Sequence, residues 1–205
     1  MKPKNNSKLI RFAKFYDFSE FLPEKLFIAR LRRKIIPHLY GKILEVGVGS
    51  GRNLKYYSDQ AEVIALDISP FLLDKAKREI KRVGKKNIKL LFANVEHLPF
   101  ADKSFDFVLA TFVFCSVSQP IQGFKEIKRV LKDDGQAIFL EHVRSKNIFV
   151  AKIQDLFNLL AKALFGEYIN RKTWENITKG GLKIVKDDNL ALGDIIRLFT
   201  CKKKK

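Results

Sequence analysis

Apolar residues along the chain change period as it is followed from one end to the other. Apolar runs of six or seven residues at 42–47, 62–67, 88–93, 105–111 and 137–142 read as buried strands. Between them lie stretches with apolar residues every three or four positions, the period of a helix packed on one face. Ser69-Pro70 opens one such helix, with serine as the cap and proline in the first turn, and Gly84 stops it. Ser118 is expected to cap another over about 119–131, with a turn at Asp133-Asp134-Gly135. A helix is also expected to begin at Asn53–Ser58. Ahead of the first strand, 1–7 is a polar, unstructured lead, and Lys8–Phe18 and Pro23–Tyr40 carry helical spacing, with Leu26, Ala29, Ile36 and Leu39 turned inward. This alternation gives an α/β fold: a parallel sheet with helices on both faces, and a ligand site at the carboxyl ends of its strands.

The alternation breaks at 146–180. Ile148–Phe165 has a wide apolar helical face and Arg171–Thr178 reads as a short helix. Leu182–Val185 and Ile195–Lys202 then read as a closing strand pair, one of them antiparallel. With Phe149, Phe157, Phe165 and Trp174 the segment is greasy. Core packing accounts for most of these side chains and leaves a few to line a pocket.

The candidate chemistry starts at Leu44-Glu45-Val46-Gly47-Val48-Gly49-Ser50-Gly51 and at Asp67, which ends the second strand. Glycines at the first strand-to-helix turn let the backbone approach a ligand, and a carboxylate on the next strand end accepts from both hydroxyls of a ribose. The dinucleotide fingerprint is G-x-G-x-x-G, which holds a pyrophosphate on a helix N-terminus. Here the third glycine comes one residue early, and Glu45 would repel a pyrophosphate. A carboxylate suits a ligand with an ammonium or sulfonium, which favours S-adenosylmethionine over a nicotinamide dinucleotide.

With Asn94-Val95-Glu96-His97-Leu98-Pro99-Phe100, Ser104-Phe105-Asp106, Arg129–Gly135 and Glu141-His142-Val143 following in order, the chain resembles the class I S-adenosylmethionine-dependent methyltransferases of the type 11 group, over about 12–202. Cys115-Ser116-Val117 and Glu141-His142-Val143 resemble its small thiol methyltransferases and bacterial phospholipid N-methyltransferases. The resemblance implies a Rossmann-like, mostly parallel seven-stranded sheet in one domain, 1–205, with an N-terminal helical cap over 1–40 and a helical substrate-pocket insertion over 146–180 before the last two strands. It implies that Gly47, Gly49 and Gly51 contact the methionine part, that Glu45 favours the ammonium and that Asp67 takes the ribose hydroxyls. Ile68 would pack on the adenine, Asn94 and Val95 would meet its edge, and Thr111 would lie near the transferred methyl. Relatives often carry Asp where Asn94 stands. Tyr16 is similar to an N-terminal tyrosine that closes over the methionine carboxylate. His142 is the candidate general base for an acceptor that arrives protonated. The implied reaction is methyl transfer to a small or lipidic acceptor: a phospholipid amine, a thiol or a quinone-like precursor.

Composition narrows the alternatives. No apolar run reaches a membrane span, the N-terminus lacks the form of a signal peptide, and a cytoplasmic protein is expected. Two cysteines, Cys115 and Cys201, make no metal-ligand spacing and no disulfide is expected. The net charge of +18 has eleven of its basic residues within 1–42, where only three acids stand, with Arg30, Arg32, Arg33 and Lys34 as a basic patch. Such a field suits a solvated lysine-rich surface, peripheral contact with an anionic membrane, or, less well, nucleic acid. An RNA methyltransferase is the rival enzyme, but Thr111-Phe112-Val113-Phe114 is apolar and lacks the Asn/Asp-Pro-Pro-Tyr/Phe motif of base amino-group methyltransferases. A catalytically silent protein that still binds the cofactor is the rival of another class, and the intact glycines and Asp67 weigh against it.

Overall fold

The computed structural model describes residues 27–165, 168–191 and 194–204. The expected lead at 1–7, the helix at Lys8–Phe18 and Tyr16 lie outside them. Of the N-terminal cap, helix α1 (Ala29–Ile35) and a 3₁₀ turn at Ile36–His38 are described. Ile36 and Leu39 are buried, as their spacing predicts.

Strands β1 (Lys42–Val46), β2 (Glu62–Asp67), β3 (Ile88–Phe92), β4 (Phe105–Thr111) and β5 (Leu131–His142) pair in parallel in the order β3-β2-β1-β4-β5. The strand order reverses between β1 and β4, which places the ligand crevice at their carboxyl ends. Past β5 the sheet continues as β7 (Ile196–Lys203) and then β6 (Leu182–Ala191), β7 running antiparallel to both neighbours. The sheet therefore has seven strands, order β3-β2-β1-β4-β5-β7-β6.

Alternate residues of the central strands feed two cores. Leu44, Val46, Val108, Ala110 and Phe139 face helix α3 (Pro120–Val130), through Phe124 and Ile127, and helix α5 (Thr173–Lys179), through Ile177. Ile43, Val63, Ala65 and Leu109 face helix α2 (Pro70–Val83), through Ala76, and the turn carrying Ile36 and Leu39. Burial on both sides is why these strands read as continuous apolar runs rather than as alternating ones. Ser69 caps α2 by accepting from the Leu72 N–H, and Gly84 ends it in the left-handed conformation at φ 71°.

Four expectations are corrected. The helix at Asn53–Ser58 is a single 3₁₀ turn, Leu54–Tyr56. Asn53 directs its side chain to Glu45 and Thr111 instead of capping, and Tyr57 turns extended. Ser118 does not cap α3: Gln119 holds that position, and its N–H donates to Glu96 Oε1 at 2.7 Å, which puts a carboxylate from another loop at the positive end of the helix. The turn at 133–135 is absorbed into β5 as an irregularity of its ladder with β4. The penultimate strand runs to Ala191 instead of stopping at Val185, because β7 pairs with its charged half through Asp187, Asp188 and Asn189. Charged residues on an edge strand also discourage pairing with other chains.

Gly180 shows how closely α5 sits on α3. A Cβ there would lie 2.3 Å from Phe124 Cβ. Gly180→Ala is expected to cost about 1–3 kcal/mol by overpacking, read as a lower urea midpoint at unchanged m.

Candidate cofactor and active site

A cavity of about 280 Å³ opens at the carboxyl ends of β1, β2 and β4. Gly47, Gly49, Asp67, Ile68, Asn94, Val95 and Thr111 all line it, together with Arg32, Ser50, Arg52, Leu72, Phe112, Val113 and 116–118.

The glycines divide the work. Gly47 has φ 66°, and a Cβ there would lie 2.5 Å from Val113 Cγ2, so only glycine lets β1 pass under the loop after β4. A Cβ on Gly49, at φ 56°, would meet nothing within 4 Å. Its backbone thus borders open space that a ligand can approach. Gly51 does not line the cavity. A Cβ on it would meet Leu54 and Ala76, so it serves packing against α2 and not ligand contact.

Asp67 is buried at the tip of β2. Oδ2 accepts from the Gly49 N–H at 2.9 Å and Oδ1 from the Ser69 N–H at 2.8 Å. Burial raises its pKa, and these backbone N–H bonds oppose the rise. A carboxylate offers about four lone-pair sites, and the backbone N–H groups leave acceptor capacity for a ribose hydroxyl. Ile68, next along and exposed, presents an apolar face beside it. Asn94 Oδ1 accepts from the Glu96 N–H at 2.9 Å, so its side chain also shapes the loop that carries Val95.

Glu45 lies elsewhere than expected. It is buried and absent from the cavity wall. Oε1 accepts from Asn53 Nδ2 at 2.8 Å and Oε2 from the Tyr57 hydroxyl at 2.9 Å. Burial pushes its carboxyl up to about 7, against the two hydrogen bonds and the nearby positive charge of Arg32. Its contacts make it a supporting group of the strand tips, one layer behind the cavity wall. Thr111 Oγ1 accepts from Asn53 Nδ2 at 3.1 Å and from Arg32 Nη1 at 3.3 Å, and Arg32 Nη1 also donates to Asn53 Oδ1.

Arg32 is the main residue the sequence reading missed. The sequence groups it with Arg30, Arg33 and Lys34 as a basic patch, yet it is 4% exposed and lines the cavity, while the other three are exposed. Its position one helical turn before the buried Ile36 was the available signal.

His142 is likewise not brought to the cavity. Its ring packs on Phe112 with centroids 4.5 Å apart, and burial lowers its pKa to about 4. The ring thus sits one layer behind the cavity wall, with Phe112 between. Phe112 has φ 57°, unusual for a bulky residue and a mark of an over-determined loop. Buried Glu141 holds that loop, accepting from the Val113 N–H at 3.1 Å and the Phe114 N–H at 3.3 Å.

A glycine-lined strand tip, a ribose-ready carboxylate on the adjacent strand and a seven-stranded sheet with antiparallel β7 define a class I methyltransferase fold. Residues 44–139 match the family model described as "Methyltransferase domain". The chain is 32% identical over 115 residues to a phosphatidylethanolamine N-methyltransferase of Cereibacter sphaeroides, covering 54% of this chain and 57% of that protein. It is 32% identical over 143 residues to the thiol S-methyltransferase TMT1B of Rattus norvegicus, covering 67% of this chain and 58% of that protein. The chain thus spans less than two thirds of the length of these relatives. A solved SAM-dependent methyltransferase of Thermotoga maritima, a possible histamine N-methyltransferase, superposes with TM-score 0.70 at 20% identity, over 97% of this chain and 99% of that one. Residues 44–139 thus match the methyltransferase domain of the type 11 group, and the relatives named are S-adenosylmethionine-dependent methyltransferases. The cofactor of that family is S-adenosylmethionine, and the open face of Gly49 beside Asp67 and Ile68 fits it.

Proposed function

We propose that this protein transfers a methyl group from S-adenosylmethionine to an apolar small-molecule or lipidic acceptor: a phospholipid amine, a thiol or a quinone-like precursor. The cofactor supplies an electrophilic methyl on a sulfonium, so the protein's task is mainly alignment and exclusion of water. Gly47 and Gly49 give the backbone close approach, and Asp67 binds the ribose. Arg32 and Asn53 fix the Thr111 hydroxyl at the strand tip. The loop after β4, held by Glu141, turns Phe112 and Val113 toward the cavity, and Val117 extends that apolar wall.

The observation that carries the reading is this wall. Phe112, Val113 and Val117, next to the glycine turn, give the wall an aromatic and aliphatic face among the hydroxyls of Thr111, Ser116 and Ser118, which favours an acceptor with a hydrocarbon body over a polar base. The phospholipid and thiol names of the two relatives agree with such an acceptor. The test is calorimetry with S-adenosylmethionine and NAD, followed by incubation with labelled S-adenosylmethionine and panels of phospholipids, thiols, quinone precursors and RNA. Tighter binding of S-adenosylmethionine than NAD, and label in an apolar acceptor, are expected. Tighter binding of NAD, or label confined to RNA, would overturn the proposal.

A further inference from the structure

Helix α4 (Ile148–Phe165) is turned inside out relative to an ordinary surface helix. Among its described side chains Gln154, Asp155 and Asn158 bond back to the protein. Gln154 donates to the carbonyls of Val143 and Ile169 at 2.9 and 3.1 Å and accepts from the Ser145 N–H at 2.7 Å. Asp155 accepts from Arg144 at 2.8 Å and Asn170 at 2.9 Å, and Asn158 Oδ1 accepts from the Ile169 N–H at 3.0 Å. Among the described side chains only Ala151 is fully buried on that side. The large apolar residues point away: Phe149 is 75% and Leu156 68% exposed, with Ile148, Ile153 and Phe157 also more than half exposed. The spacing 149, 153, 156, 157 is one continuous helical stripe.

We infer that this stripe docks the protein on an anionic lipid surface. A contiguous apolar stripe on a soluble domain marks an interaction site, and this one is held rigidly outward by at least six hydrogen bonds from its polar back. Charge selects the occupant. The only acid between 148 and 165, Asp155, is neutralised by Arg144, while Lys152 on the helix and Lys146 just before it are exposed, Asp194 accepting from the Lys146 N–H at 3.0 Å. The chain as a whole carries +18. An apolar stripe rimmed by lysine, on a cationic body, lies in the headgroup boundary of an anionic bilayer. α4 follows β5 at the carboxyl-end edge of the sheet, the edge that also carries the cofactor cavity. Docking there places the site beside the bilayer. The inference concerns the surface and holds whichever acceptor is methylated.

The test is cosedimentation of the full chain with phosphatidylglycerol and with phosphatidylcholine vesicles at physiological salt. There screening within about 8 Å leaves only close charges effective. Trp174, the chain's single tryptophan, has Lys146 Nζ 5.9 Å from its ring centroid and reports on the same edge by fluorescence. The wild type is expected to sediment with phosphatidylglycerol and not with phosphatidylcholine. Phe149→Ser/Ile153→Ser/Phe157→Ser should weaken that by about tenfold or more at unchanged Tm, and Lys152→Glu by less. The inference falls if the wild type stays in solution with anionic vesicles, or if the triple variant sediments as the wild type does, which would leave net charge alone responsible. It also falls if the triple substitution dissolves a dimer without changing vesicle binding, which would assign the stripe to a second copy. A wild type that ignores vesicles, with a triple variant of lowered Tm, would assign the stripe to cover by residues 1–26.

Discussion

Asp67→Ala is expected to weaken S-adenosylmethionine binding by about 100-fold or more. The ribose loses a charged acceptor, such a bond being worth roughly 1.5–3 kcal/mol, and about 1.4 kcal/mol is tenfold in affinity. The structure adds a second cost: the same carboxylate holds the Gly49 and Ser69 N–H groups, so the glycine loop loses its anchor as well. Asp67→Asn keeps one acceptor oxygen and should fall between the two. Calorimetry measures the affinity, and the melting temperature without cofactor separates lost binding from lost folding. A folded Asp67→Ala protein with unchanged Kd would place the ribose elsewhere.

The second large effect is a pH dependence. Glu45 has its carboxyl raised from 4.5 to about 7 in the folded chain. As pH rises through that interval, the unfolded state gives up this proton first and the folded state still holds it. Ionisation therefore favours the unfolded chain, and Glu45 costs stability progressively from about pH 4.5 to about pH 7, with no further change above. At about 1.36 kcal/mol per pKa unit the full span is about 3 kcal/mol. Glu45→Gln cannot ionise and should escape the loss. The difference in stability between wild type and variant should therefore move against the wild type by about that amount between pH 4 and 8, as read from thermal melts. A constant difference would mean that Arg32 keeps the carboxylate ionised throughout.

The parallel part of the sheet was legible because each strand is an apolar run closed by a breaker, and burial on both faces keeps such runs continuous. Asp67 was legible for a related reason: it ends a strand, and its partner is the glycine turn on the neighbouring strand. Arg32 was not. Its burial depends on Asn53 and Thr111, the latter 79 positions away, and nothing local separates it from Arg30 or Arg33. Glu45 was seen as a charge beside the turn, but a strand buried on both faces does not show which way a side chain points. Tyr57, which takes up one of its oxygens, lies 12 residues on. The apolar stripe of α4 was visible as a period, whereas its outward direction is fixed by Arg144, Asn170 and the backbone at 143 and 169. Its polar contacts, not its apolar ones, set the orientation.

The position of β7 has a consequence for how the protein is made. Residues 196–203 run between β5 and β6, so these two strands never pair with each other and each waits for a partner synthesised after both. Phe199 and Cys201, wholly buried in the final sheet, leave the ribosome after the other six strands. Until they arrive, one edge of β5 and the core around Phe139 stay open to solvent, a state prone to pairing with other nascent chains. Completion of this fold therefore waits on residues 196–203, and the nascent chain needs protection until β7 closes the gap.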